Sequence, residues 1–328
     1  MLINQDFTHD RTKYLGGSDI GALLGLSKYR TPVDVWLEKT GQVKNEVDNL
    51  PVRFGTFAEE FVAIEYARQT GFTLSHQTQT ITHPLYGFLA AHIDRFVHTK
   101  NNAGQDKPNH LLECKTANPF AKSEWGEVGS DEVPMSYLAQ CHWYLALTHL
   151  TRCDLAVLFG NSELRIYQIE KDLELEATLI EQAVGFWQNH VVNNIAPKPQ
   201  NIKDYQMLFQ KESCGKVAQA NAQTIALINH SHTLSEQIRA TEEDLNKIKQ
   251  HIMAQMQDAQ ELIYQGQVVA TWKKPKASLR FDSKRFELEH PELFPAYQTP
   301  IANSRRLVIK ELPASAHNQV TQLSTLGA

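Results

Sequence analysis

Apolar residues recur first at helical spacing. From Gly17 to Gly25 the run GSDIGALLG predicts a short helix whose start is marked by Ser18 and Asp19, both good N-cap types. A second helix follows, with Thr31 as cap, Pro32 at its first position, a stripe of Val33, Trp36 and Leu37, and Gly41 where a closing glycine belongs. Residues 54–69 predict a third, ended by Gly71, with Phe57, Phe61 and Ile64 as its apolar face. The period then changes. Residues 88–98 and 110–117 are short, largely apolar runs parted by the turn-rich NNAGQDKPN, which predicts two neighbouring strands. A helix over 135–150, a strand pair over 153–160 and 164–169 and a helix over 173–191 complete an α+β layout, mostly antiparallel, with helices packed on the sheet.

Pro197 and Pro199 mark a boundary. Beyond it Leu227, Leu234, Ile238, Leu245, Ile248 and Ile252 fall at a/d-like spacing in a polar background, which predicts a long helical arm or hairpin. Residues 262–264 and 268–272 flank Gln265-Gly266-Gln267 as a hairpin. The expected division is a core over 1–198, a helical arm over 199–260 and a β-rich basic extension over 261–328.

Composition narrows the class. Apolar residues are 42% and charged residues 21% of 328, with only 16 Gly and 13 Pro, which excludes collagen-like and disordered chains. The four cysteines, Cys114, Cys141, Cys153 and Cys214, are far apart and form no Cys-x-x-Cys pair, so neither a zinc ribbon nor a disulfide framework is expected, and free thiols in a reducing cytoplasm are. Residues 1–11 include Asp6, His9 and Asp10 and no apolar run, unlike a secretory signal, and no stretch reaches the length of a membrane span. The net charge of −5 gives no global attraction to nucleic acid. Its distribution differs: between Thr271 and Lys310 nine Lys/Arg face four Asp/Glu, so the rest of the chain carries the acid. Acid where metals bind and base where phosphates lie suits a nuclease, although a solvated basic face gives the same count.

The candidate chemistry lies at Asp94, Glu113 and Lys115. Strand residues two apart share a face, so Glu113 and Lys115 point into one site while Cys114 faces away, and a neighbouring strand supplies Asp94. Two carboxylates there can hold Mg²⁺, a hard cation that keeps several waters, polarises a phosphodiester and acidifies an attacking water. Lys115 would orient or deprotonate that water. As a bare pattern, Glu-x-Lys is more often a solvated ion pair. Both segments are apolar, however, and charge inside an apolar strand is costly unless paired or metal-bound.

Asp94…Glu113-Cys114-Lys115 resembles the bipartite acid…acid-x-Lys motif of the restriction-endonuclease-like (PD-(D/E)XK) nucleases. Arg11…Gly16-Gly17-Ser18-Asp19, Phe54-Gly55-Thr56-Phe57-Ala58-Glu59 and Tyr137-Leu138-Ala139-Gln140 follow in the order and spacing of lambda-type phage exonucleases, particularly the YqaJ-like viral recombinase branch. The likeness covers roughly residues 8–195 and extends, less specifically, to Thr271-Trp272-Lys273 and Arg305-Arg306-Leu307. It implies a central mixed sheet flanked by helices, with the helical arm and a small β-rich tail as a C-terminal extension. It implies Asp94, Glu113 and the Cys114 carbonyl as metal ligands, Lys115 beside the nucleophilic water, and Glu59 supporting the metal directly or through water. Periodicity does not choose between Glu59 and Glu60; the family spacing selects Glu59. Gln140 matches a glutamine that organises the site here and in RecB-like nucleases. The implied activity is 5′ to 3′ processive digestion of double-stranded DNA ends with Mg²⁺, or Mn²⁺ in its place, in phage-type recombination with a single-strand annealing protein. A ring-shaped trimer and a phage or prophage origin in a bacterial host go with it.

Arg11 and Ser18 lie seven apart, and with the amides of a helix start they would form an anion site for a terminal phosphate; a plain cap and a surface arginine fit the same residues. A structure-specific endonuclease, a RecB-like nuclease of other polarity and a non-catalytic DNA-binding accessory are the other functions compatible with the pattern. The 14 histidines include no His-Glu-x-x-His, no C-terminal cysteine triplet marks an iron–sulfur nuclease, and no Gly-Lys-Ser/Thr loop marks an ATPase. Trp125, Trp143, Trp187 and most Phe residues are expected in the core.

Overall fold

The computed structural model describes residues 3–4, 10–43, 49–76, 79–98, 108–299 and 304–312. A short strand β1 (Ile3–Asn4) and a 3-10 turn at Arg11–Lys13 lead into three helices, α1 (Gly17–Leu23), α2 (Pro32–Lys39) and α3 (Leu50–Thr70). Thr31 Oγ1 accepts from the Asp34 N–H at 3.2 Å, Pro32 stands at the first position of α2 and Gly41 has φ +70°, all as expected. The start of α1 differs. Its cap is Gly16, and Asp19, three residues on, accepts from the Gly16 N–H at 3.0 Å, which leaves the Ser18 side chain to make other bonds.

The chain then builds β2 (Thr73–His76), β3 (Ile81–Thr82), β4 (Ala90–Ala91), β5 (Arg95–His98) and β6 (His110–Ala117). Residues 88–98 are therefore two strands, not one: β4 pairs with β3 in a small sheet, β5 pairs with β2 and β6, and Asp94 stands at the bend between them. Next come α4 (Met135–Thr148), β7 (Arg152–Phe159), β8 (Glu163–Glu170), α5 (Leu173–Phe186), which continues as a π turn to Val192, and α6 (Ile202–Leu208). The main sheet has the order β2-β5-β6-β7-β8 and is mixed: β6 and β7 run parallel across the α4 connection, and the other neighbours are antiparallel.

Alternation along β6 and β7 sends residues to two different layers. Leu111, Leu155, Val157 and Phe159 pack in a cluster that includes Trp143 and Leu145 of α4 and residues of α1, α2 and α5. On the other face Leu112, Cys114, Ala156 and Leu158 pack with Val62, Ala63 and Tyr66 of α3. This corrects the expected face: Ala58, Val62, Ala63 and Tyr66 are buried, while Phe57, Phe61 and Ile64 are exposed. Trp125 and Trp143 are buried and Trp187 stacks on Phe88 at 5.0 Å, but Phe54, Phe120, Phe209 and Phe281 are also exposed, so the aromatic core is smaller than expected.

The first compact unit runs Met1–Leu208. It extends past the boundary drawn at 198 because the buried Asp204 of α6 accepts from Thr31 Oγ1 at 2.9 Å and from the Gln200 N–H at 2.8 Å. The second unit, Phe209–Ala328, contains α7 (Ala222–Met256), the hairpin β9 (Glu261–Tyr264) with β10 (Gln267–Thr271), and α8 (Ser283–Glu289). The predicted arm is one 35-residue helix rather than a hairpin. Gln265 and Gly266, at φ +48° and +79°, make the two-residue turn between β9 and β10. No described helix is long and apolar enough to cross a membrane.

Candidate active site

Glu113 and Lys115 share the α4 face of β6, and Lys115 Nζ donates to Glu113 Oε1. Gln140, on α4, donates through Nε2 to the same Oε1 at 2.6 Å and to the Tyr144 hydroxyl at 2.7 Å. From the bend before β5, Asp94 Oδ2 accepts from the Cys114 N–H at 2.8 Å. Four of the expected residues, Asp94, Glu113, Lys115 and Gln140, are thereby brought together, and Tyr144 is added to them. Tyr144 follows Gln140 by four positions, one helical turn on the same face, a spacing that could have flagged it.

Glu113 is 2% exposed, and its Oε2 has no hydrogen-bond partner among the described residues. Burial, with the charge of Asp94 added, pushes its pKa up to about 8. The two carboxyl groups can hydrogen-bond each other only through a shared proton; ionised, both are acceptors. The gap therefore calls for a proton or a cation. Burial works against the charge of Lys115, yet Glu113 and Asp94 outweigh it and hold the ammonium above the ordinary lysine range. Burial raises the Cys114 thiol well above its usual value, so it is no nucleophile, and it packs on the α3 side as strand alternation expects.

The donor set suits a hard cation of the Mg²⁺ kind, which takes one or two carboxylates and completes its shell with water and substrate oxygens. Side chains alone do not complete it: among the described residues no group of three His, Cys, Asp or Glu is gathered to hold a metal. Glu59 is engaged elsewhere. Arg95 donates to Glu59 Oε1 at 2.9 Å, to Glu60 Oε2 at 2.5 Å and to the Asp94 carbonyl at 2.5 Å, so both glutamates of α3 brace the Asp94 backbone through one guanidinium.

Arg11 and Ser18 meet: Arg11 Nη2 donates to Ser18 Oγ at 2.8 Å. Beneath them lies a cluster that sequence patterning missed. Asp19, fully buried, is paired with Lys39 and Arg30 at 2.9 Å each and faces Arg11 at 3.6 Å; Glu38 pairs with Arg30, Lys39 and Arg11. Burial alone would raise the Asp19 carboxyl, but Lys39, Arg30 and Arg11 bring it down to about 2. Three cations thus face two carboxylates beside Ser18, an arrangement with capacity for one more anion. Gly17 joins this corner to the carboxylates, since a Cβ there would lie 2.5 Å from the Tyr144 ring.

Residues 6–151 match the YqaJ-like viral recombinase domain. The chain is 29% identical over 310 residues to the uncharacterized protein YqaJ of Bacillus subtilis (strain 168), covering 92% of this chain and 93% of that protein. Among solved structures it is similar to an alkaline exonuclease from Laribacter hongkongensis, with a TM-score of 0.46 at 18% identity over 56% of this chain and 91% of that one. A phage-related exonuclease from Haemophilus somnus 129PT gives a TM-score of 0.40 at 12% identity over 56% and 95% of the respective chains.

Proposed function

We propose that this chain, which belongs to the YqaJ-like viral recombinase family through residues 6–151, is a Mg²⁺-dependent exonuclease that digests one strand of duplex DNA from its 5′ end. The observation that carries the reading is the buried Glu113 carboxylate, whose Oε2 lacks a donor and faces a second carboxylate, Asp94. A cation bound between the two carboxylates would satisfy that oxygen. Asp94, Glu113 and the Cys114 carbonyl would hold the metal, with Mn²⁺ as a substitute. When bound, the ion polarises the scissile phosphodiester and acidifies an attacking water.

The protein's own groups do the positioning. Gln140 and Lys115 fix Glu113 by its Oε1, which leaves Oε2 toward the site. Tyr144 holds Gln140 in turn. Lys115, kept protonated by its two carboxylate neighbours, orients the attacking water and offsets charge developing on the phosphoryl oxygens. Glu59 acts through Arg95 on the Asp94 carbonyl and keeps the bend in place. Arg11 and Ser18 bind the terminal phosphate, and the excess of Arg11, Arg30 and Lys39 over Asp19 and Glu38 favours an end over an internal diester. The single strand left behind is the substrate an annealing protein needs in recombination.

End-labelled linear duplex and closed circular duplex, each incubated with Mg²⁺ or with EDTA, test the reading. Metal-dependent loss of the linear form alone, with mononucleotides released from 5′ ends, is expected. Nicking of circles would replace it with an endonuclease, and binding without cleavage would make the chain a recombination accessory.

A further inference from the structure

Between the β9–β10 hairpin and α8 the chain carries the run Trp272-Lys273-Lys274-Pro275-Lys276-Ala277-Ser278-Leu279-Arg280-Phe281, four cations with no Asp or Glu among them. Both ends of the run are fastened within the second unit. The Trp272 N–H donates to the Gln260 carbonyl at 3.0 Å, which continues the hairpin, and the Phe281 ring packs on Phe286 of α8 with 5.2 Å between centroids. Between these anchors residues 273–281 are exposed and join neither a helix nor a strand ladder, to which Pro275 has no N–H to give. Lys273 reaches back to Glu261 of β9. Lys274, Lys276 and Arg280 make no ion pair or side-chain hydrogen bond among the described residues, whereas other cations of the unit do: Lys247 holds Asp244 at 2.8 Å and Arg285 holds Glu289 at 2.7 Å. Trp272 is 45% and Phe281 69% exposed, so aromatic surface lies open at either end of the unpaired charge.

We infer that this run binds single-stranded DNA, with phosphates along Lys274, Lys276 and Arg280 and unpaired bases stacked on Trp272 and Phe281. A polyanion is the partner that three unpaired cations without an interleaved acid suit, because each phosphate they neutralise releases a counterion. The attraction is local, since the whole chain is at −5. The aromatic rings select the form of the nucleic acid. A duplex keeps its base faces inside the stack, whereas an unpaired strand offers them to Trp272 and Phe281, and such stacking is tolerant of sequence. Reading a duplex through its major groove takes a helix or a two-stranded ribbon, and residues 273–281 are neither. That the partner is a DNA strand freed of its complement rests on the nuclease reading, in which one strand is digested and the other is left; the run itself draws on no residue of the first unit.

Binding of the full chain to an oligothymidylate with a 5′ hydroxyl, and to a blunt-ended duplex of the same length, tests it by fluorescence anisotropy in EDTA over a range of salt. Changing Lys274→Ala, Lys276→Ala and Arg280→Ala together is expected to lower the slope of log affinity against log salt on the single strand by about 2, since each phosphate contact there contributes roughly 0.7. Arg285→Ala, which removes a cation already paired with Glu289, should leave that slope unchanged. Trp272→Ala should weaken binding of the single strand about tenfold and leave the duplex within about twofold. Trp272→Phe, which keeps a ring to stack on, should restore most of the loss. Circular dichroism on each variant verifies that the chain is folded. The measurement contains no metal and supplies the strand itself, so its outcome is independent of whether the chain cleaves the end-labelled duplex. An unchanged slope in the triple variant, a slope that Arg285→Ala lowers as much per charge, or a Trp272→Ala effect that is absent, equal on both probes or not relieved by Trp272→Phe overturns the inference.

Discussion

Glu113 and Asp154 are both buried carboxylates, on the neighbouring strands β6 and β7, yet their surroundings oppose each other. Asp154 faces α3 and is fully served: Tyr66 donates to it at 2.6 Å, Arg152 grips it with two nitrogens at 2.6 and 2.9 Å, and His110 lies at 3.3 Å. Burial would raise its pKa, but these partners outweigh it and hold it below the ordinary carboxylate range. Glu113 faces α4, has donors on one oxygen only and is pushed up to about 8. One strand pair thus carries a carboxylate whose charge the fold has satisfied and another whose charge it has left open. The first is what stability needs, and the second is what catalysis with a cation needs.

The sharpest way to break this contrast is to neutralise each group. Glu113→Gln is expected to abolish cleavage in the end-labelled duplex assay while leaving the unfolding midpoint of the metal-free protein at pH 8 unchanged or higher. Asp154→Asn should do the reverse, costing about 2 kcal/mol in denaturant unfolding because Arg152 and Tyr66 lose a charged acceptor, with the activity of folded molecules nearly intact. If Asp154→Asn were inactive and fully stable, the distinction would fail. Lys115→Ala comes next, with a loss on the order of 10²–10⁴ in single-turnover rate and little change in duplex binding. A smaller effect is expected at the phosphate corner. Arg11→Ala should slow digestion of 5′-phosphorylated ends roughly tenfold more than that of 5′-hydroxyl ends, and equal slowing of both would reduce Arg11 to a partner of Asp19.

The smallest signal is in the pH dependence of stability without metal. A free glutamate titrates near 4.3, so between that pH and about 8 the folded chain keeps a proton on Glu113 that the unfolded chain has released. Its contribution to stability is present below the lower value and is lost as pH rises through the upper one. Asp154 has the opposite sign: its contribution is present above the unfolded value, ~3.9, and is lost as pH falls through its lowered folded pKa. Unfolding in EDTA at several pH values should therefore show a decline toward pH 8 that disappears in Glu113→Gln. A decline of equal size in that variant would show that Glu113 is not its source.

The candidate site was readable in sequence to the extent that it depends on strand alternation and local spacing. Glu113 and Lys115 share a face and Cys114 takes the other because successive strand residues must. Family spacing points to Gln140, and Tyr144, one turn away on the same face, accepts its second hydrogen bond. Glu59 illustrates a different limit: its distance from the motif was given, but its capture by Arg95 depends on how closely α3 lies over β5. Hydrophobicity alone favours the phenylalanines as the apolar face of α3, whereas the contact with the sheet is made by Val62, Ala63 and Tyr66.

What the sequence determined by itself was local: the capped start of α2, the glycine that ends α3, the turn between β9 and β10, the a/d-like spacing of α7 and the alternation of β6. Backbone sterics, hydrogen-bond capping and residue period act over a few positions and are written in the chain. The tertiary structure alone decided the parallel pairing of β6 with β7, the break that places Asp94 against the Cys114 amide, and the docking of α6 through Asp204. It also decided which carboxylate is satisfied. Asp154 and Glu113 both sit in apolar strands, but Asp154 gains Tyr66 from α3 beside Arg152 of its own strand and His110 of β6, whereas Gln140 from α4 and Lys115 serve one oxygen of Glu113 and leave the other short.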